Sequence, residues 1–74
     1  MIPETLRQND LVFAVFQADN RVDTWYVAKD CPPEKAYVPV TRRSNERKEV
    51  FEVRRELLHR TYQKAIDHLN PLQK

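Results

Sequence analysis

Two histidines, one cysteine and one serine are the side chains here best suited to metal binding or nucleophilic attack, and their spacing argues against both. His59 and His68 are nine residues apart, about 180° on a single helix, so their rings face opposite sides and share no metal. Cys31 stands beside Pro32 and Pro33 with no histidine near it in sequence; a lone thiol of this kind is usually a small hydrophobe and not a nucleophile. Ser44 reads as a turn or cap residue. No carboxylate pair sits among apolar neighbours that would raise one pKa for acid–base work. The sequence therefore assigns no catalytic residue, no metal ligand and no cofactor, and the chain is read as a non-enzyme.

The absence of glycine, in a chain where a content of about 7% is usual, points the same way. Phosphate-cradling loops, dinucleotide fingerprints and nucleophile elbows all need glycine's backbone freedom. The chemistry that remains is recognition by rings and cations. Between Arg42 and Arg60 there are seven basic residues (Arg42, Arg43, Arg47, Lys48, Arg54, Arg55, Arg60) and four glutamates, a local +3 against a whole-chain +2. Cations beside exposed rings suit phosphates and stacked bases; interleaved with glutamates, they also suit a solvated, ion-paired face.

These residues must be positioned by a small body. Seventy-four residues make one domain that buries only about 60% of its unfolded surface. The single cysteine forms no internal disulfide, the first ten residues lack the apolar core of a secretory signal, and no apolar run reaches the ~18 residues of a membrane span. The expectation is a soluble, intracellular protein without a membrane partner.

Residues 1–9 read as an N-terminal arm. Leu11 to Phe16 is apolar on both alternating sets, the pattern of a strand covered on two sides. Ala18-Asp19-Asn20-Arg21 supplies a turn through residues that tolerate the left-handed region. Thr24 to Ala28 is a second strand, with Trp25 and Val27 opposite to Tyr26 and Ala28. Cys31-Pro32-Pro33 interrupts regular structure. Tyr37 to Val40 is a third strand in which Pro39 marks an edge or a bulge.

Glu49 to Val53 reads as a fourth strand or, alternatively, as part of a long helix from Ser44; Val53 would fall on the polar side of that helix, which favours a break near Arg54. Residues 54–69 then form a C-terminal helix with Leu57, Leu58, Thr61, Tyr62, Ala65, Ile66 and Leu69 as its apolar stripe. Glu56 and Arg60 make an i,i+4 pair on its wet face. Asn70, in a left-handed cap, and Pro71 end it, and residues 70–74 are a tail. A helix of this length has more apolar stripe than one end of a small barrel covers. It either completes the core or leaves Tyr62, Ile66 and Leu69 as an interface with a partner or a second copy.

Over about residues 9 to 58, Asn9-Asp10-x-Val12-x-Ala14-x-Phe16, Trp25-Tyr26-x-Ala28, Tyr37 with Val40, and Val53 with Glu56-Leu57-Leu58 resemble the Tudor branch of SH3-like barrels. Asn9 takes the place of that family's usual glycine. The resemblance implies an α+β chain: a small SH3-like (Tudor-like) antiparallel β-barrel of about four strands, residues 10–53, followed by the C-terminal α-helix. It also implies an aromatic cage for a methylated lysine or arginine. Phe16 and Tyr26 match cage positions, but the third and fourth rings fall near Val40 and Arg43, which are not aromatic, and Phe16 and Tyr26 equally suit ordinary barrel packing.

Taken together, the residues predict an interaction module that binds a partner protein, with a regulator or inhibitor of nucleic-acid machinery as the setting. Direct DNA or RNA binding through residues 42–60 is the alternative, and reading of a methylated peptide a second one. The contact surface is assigned to Phe16, Trp25, Tyr26, Arg42, Arg43 and Arg47, with Tyr62, Ile66 and Leu69 as a further interface and homodimerisation open.

Overall fold

The computed structural model describes residues 2–43 and 49–70. Five strands form one antiparallel sheet in the order β4-β3-β2-β1-β5: β1 Leu11–Phe16, β2 Arg21–Val27, β3 Tyr37–Thr41, β4 Phe51–Arg54 and β5 Leu58–His59. One helix, α1 (Tyr62–Leu69), packs against β1, β2 and β5. The α+β class is as expected. The sheet, however, is open, with β4 and β5 at its two edges, and five strands replace the four anticipated.

The β1–β2 hairpin runs from Leu11↔Tyr26 to Phe16↔Arg21, so β2 begins three residues before the expected Thr24. Its connection is a 3₁₀ turn over Gln17–Asp19 closed by Asn20 at φ 53°. Asn9, at φ 73°, is the other non-glycine residue in the left-handed region among the described residues. A short side chain that bonds locally lowers the cost of that region, and asparagine here performs the turns that glycine usually makes. Val12 and Ala14 on one face of β1 and Val15 on the other are fully buried, the two-sided cover that the apolar run predicts.

The main core joins Val12, Ala14, Trp25, Val27, Val38, Val40, Val53 and Leu58 with Ile2, Leu6 and Cys31. The amino-terminal segment is thus part of the body and not a loose arm. Leu6 and Cys31 exchange backbone bonds of 2.9 and 2.7 Å. The second face of β1 is covered by α1, where Tyr62 meets Phe13 edge-on at 6.0 Å and Ala65 is fully buried.

The expected helix over residues 54–69 is confined to its last half. Phe51–Arg54 is a strand, which also rules out a rod from Ser44 through this stretch; Arg55–Leu57 is a 3₁₀ turn, and Leu58 and His59 pair with Ala14 and Phe13. Tertiary bonding overrides the local helical pattern at Arg55. This arginine is 2% exposed and its guanidinium donates to the carbonyls of Lys35 (2.9 Å), Ile2 (2.9 Å), Glu4 (3.2 Å), Cys31 (3.4 Å) and Pro32 (2.7 Å). A helix from Arg54 would forfeit that network and withdraw Leu58 from the core.

The Glu56–Arg60 pair of the expected helix is accordingly absent. Glu56 holds Arg54 at 3.0 Å, and Arg60 reaches back to Glu4 (3.1 Å) and Asp10 (3.0 Å). The true helix start is Thr61, whose hydroxyl accepts the Lys64 N–H at 3.2 Å. At its end Asn70 has φ −124°, not a left-handed cap, and its N–H bonds the Ile66 carbonyl.

Candidate functional site

β2 and β3 bring Trp25 and Arg42 together. Trp25 points into the sheet's core face and is 5% exposed; the Arg42 guanidinium lies 4.2 Å from its ring centroid. Phe51, at the start of β4, closes the group with its ring 5.6 Å from Trp25 at 64°, and it is 46% exposed. Trp25 is therefore a buried platform, Arg42 its cationic lid and Phe51 the accessible ring. Cation–π contact of this kind is worth about 0.5–1 kcal/mol at an exposed site, which holds Arg42 in place at the surface. Trp25 Nε1 and Thr41 Oγ1 are buried without a hydrogen-bond partner. Arg43 is exposed and shares a cleft of about 400 Å³ with Thr41, Arg42 and Glu49. Arg47 and Ser44 lie outside the described residues.

Phe16 and Tyr26 do not join that group, nor each other. They occupy opposite ends of the β1–β2 ladder, roughly 17 Å apart at ~3.4 Å per residue. Strand alternation also puts Phe16 on the core face and Tyr26 on the other. Phe16 packs on the core and lies under Arg21, 5.4 Å from its ring centroid. Val40 is fully buried. The residues matched to an aromatic cage are thus not assembled around one cation.

The basic segment is likewise divided. Arg55 is buried among carbonyls, Arg54 is engaged by Glu56 and Arg60 by Glu4 and Asp10. Burial works against charge on Asp10, but the Arg7 N–H and the Arg60 guanidinium outweigh it and hold its pKa below the ordinary value. Of the cations assigned to recognition, Arg42 and Arg43 are the exposed ones among the described residues.

Three contributors escaped the sequence reading as surface residues. Tyr37 (54%), Val50 (47%) and Phe51 (46%) are exposed large apolar side chains around the β3–β4 edge. Tyr37 and Val50 line a cleft of about 500 Å³ with Pro32, Lys35, Pro39 and Glu52. Pro39 does not mark an edge as expected, since β3 lies between β4 and β2; its missing N–H falls on the β2 side, where its carbonyl accepts from Ala28. Along α1, Tyr62 is 57% exposed, whereas Ile66 and Leu69 are half-buried, so most of the stripe completes the body.

The histidines are also placed differently from expectation. Because His59 lies in β5 and His68 in α1, the rings converge: His59 Nε2 and His68 Nδ1 are 2.8 Å apart, with ring planes at 87°. Burial, and after it the positive charges of the amino terminus, His68 and Lys64, push the His59 pKa down to about 4. In this contact one ring nitrogen donates and the other accepts, the roles being set by the tautomer. Among the described residues no group of three or more His, Cys, Asp or Glu is placed to hold a metal ion. Cys31 is buried, with Arg55 Nη2 3.4 Å from its sulfur.

Comparison with protein-family models, curated proteins and solved structures finds no match to this chain. Among the described residues no helix is long and apolar enough to cross a membrane.

Proposed function

We propose that this chain is a non-enzymatic interaction module that binds a partner protein at the β3–β4 end of its sheet, on an SH3-like, Tudor-like scaffold. The scaffold reading draws support from strand order: β5 returns beside β1 after a 3₁₀ turn, the arrangement a small barrel has before its edges meet. The observation that carries the binding reading is the exposed Phe51 at the β4 edge beside an arginine fixed on a tryptophan. Tyr37 and Val50 line a separate cleft at the same edge, Tyr37 on the opposite face by strand alternation. Exposed aromatic and arginine side chains around a buried anchor are what protein interfaces enrich. A soluble, intracellular setting, with a regulator or inhibitor of nucleic-acid machinery as its class, belongs to the same proposal and rests on the basic residues Arg42 and Arg43.

The test is capture from nuclease-treated lysate by the wild-type chain, Phe51→Ala and Tyr37→Ala, with melting curves confirming the fold. A defined protein retained by wild type and reduced about tenfold or more by either variant supports the reading. Identical capture by all three chains overturns it. The alternative, contact with single-stranded nucleic acid, is favoured by one observation, Arg42 and Phe51 both against the same indole. It predicts an affinity that falls steeply with salt and is lost in Arg42→Ala with Arg43→Ala. Methylated-peptide reading has no comparable support, because its two matched rings are at opposite ends of a hairpin.

A further inference from the structure

The outer edge of β4 has a hydrogen-bonding phase that can be read from its neighbours. Pro39 has no N–H, and its carbonyl accepts from Ala28 at 2.8 Å, so its main chain faces β2. Its partner Glu52 therefore sits at a non-hydrogen-bonded position of the β3–β4 ladder. The Arg55 N–H, bonded to the Ala36 carbonyl at 2.7 Å, keeps the same phase. The main-chain groups of Glu52 and Arg54 consequently point away from the sheet, along an edge that no described strand covers.

Uniformly charged edges block pairing with another chain. This edge carries one charge of each sign. With Glu52 and Arg54 supplying the outward main-chain bonds, an antiparallel partner of the same sequence has three short registers. One centred on Glu52 sets glutamate against glutamate, and one centred on Arg54 sets arginine against arginine. The register centred on Val53 sets each Glu52 against Arg54 of the other chain, twice by symmetry.

We propose that the chain forms a two-fold dimer through β4, paired antiparallel about Val53, so that Glu52 of each copy faces Arg54 of the partner subunit. Arg54 engages Glu56 in its own chain through Nε, and its Nη groups are those that reach across. On the core face the half-exposed Phe51 of each copy comes diagonal to Val53 of the partner subunit, extending the apolar row through the axis. An edge of four residues covers less than the roughly 1,200–2,000 Å² of a standard interface, so the dimer is weak and concentration-dependent. This goes beyond partner-protein binding, and its test leaves Tyr37 and Phe51 untouched, so either reading can fail alone.

Sedimentation velocity on the full chain, at concentrations up to about 1 mM, decides it. Wild type self-associates; Glu52→Arg and Arg54→Glu each weaken association about tenfold or more, since like charges then face each other twice. Two results restore it: the double variant with both charges exchanged, and an equimolar mixture of the two single variants. Melting curves on each variant confirm that these exposed substitutions leave the fold intact. A wild-type chain that stays monomeric throughout, singles that associate as well as wild type, or a mixture that fails to associate overturns the proposal.

Discussion

Arg55 donates five hydrogen bonds to main-chain carbonyls from a site 2% exposed to solvent. It ties the amino-terminal segment, the 31–35 loop and the β4–β5 connection to one planar group. Arg55→Met, similar in volume but without donors, leaves those carbonyls buried and unpaired, at about 1–3 kcal/mol for the first and less for each relaxed thereafter. The expected loss is at least about 3 kcal/mol, a large share of the ~4–11 kcal/mol that 0.05–0.15 kcal/mol per residue allows this chain. Arg55→Lys recovers little, since an ammonium cannot reproduce the fork. Urea midpoints for the two variants measure both; a loss below about 1 kcal/mol in Arg55→Met contradicts this role. At His59 the folded pKa, about 4, lies below the ordinary value of 6.5, so the unfolded chain binds the extra proton between those values. Stability from this site is complete above about 6.5 and falls as pH drops toward 4, with less than the ~1.4 kcal/mol per pH unit of a full proton. His59→Gln should flatten the melting temperature between pH 7 and 4.5, above the range in which Asp10 protonates.

At the scale of elements, the stretch after Val53 shows two codes in competition. Leu57, Leu58, Tyr62, Ala65 and Leu69 have helical spacing, yet Leu58 is committed to the core in β5 and only residues from Tyr62 are helical. A start signal was legible at Thr61, whose hydroxyl caps Lys64, but a threonine inside an apolar stripe was read as part of the helix. The two positions have opposite signatures. Mid-helix, Thr61→Ala would raise stability by a few tenths of a kcal/mol through propensity; as an N-cap, it lowers stability by about 1 kcal/mol. Chemical denaturation should find the loss. The first strands were easier to read, β1 from an apolar run covered on both faces and the hairpin from Asp19-Asn20, whereas Glu49 to Val53 stood between strand and helix. The fifth strand has only two residues and no pattern of its own.

The whole molecule is closed by contacts between its ends. Ile2 and Leu6 enter the core, Leu6 bridges Cys31, and Arg60 binds Glu4 and Asp10. Composition gave no hint of this, because an arm and a docked segment differ by what lies opposite them. Leu6 is fully buried, so Leu6→Ala should cost about 2–5 kcal/mol, as at a core strand position. An unchanged unfolding midpoint would show the segment to be undocked. The candidate surface was legible at this scale only in part. Trp25 and Arg42 were named and do meet, while Phe16 and Tyr26 were named and are separated by the length of a hairpin. Tyr37 and Val50 in one cleft, and Phe51 beside Trp25, became exposed only through the position of their strands at one edge.

By itself, the order of residues determined the local matters: where the chain is apolar enough for a covered strand, and where asparagine turns it without glycine. These depend on steric and hydrogen-bonding preferences over a few neighbouring residues. Tertiary structure decided whether Arg55 is solvent-facing or buried, whether His59 and His68 are apart or in contact, and which rings end at the open side of the sheet. Those outcomes turn on burial and pairing between segments up to fifty-three residues apart. The energy of such contacts exceeds a helix propensity of a few tenths of a kcal/mol per residue, so the core chose the conformation of residues 54–61.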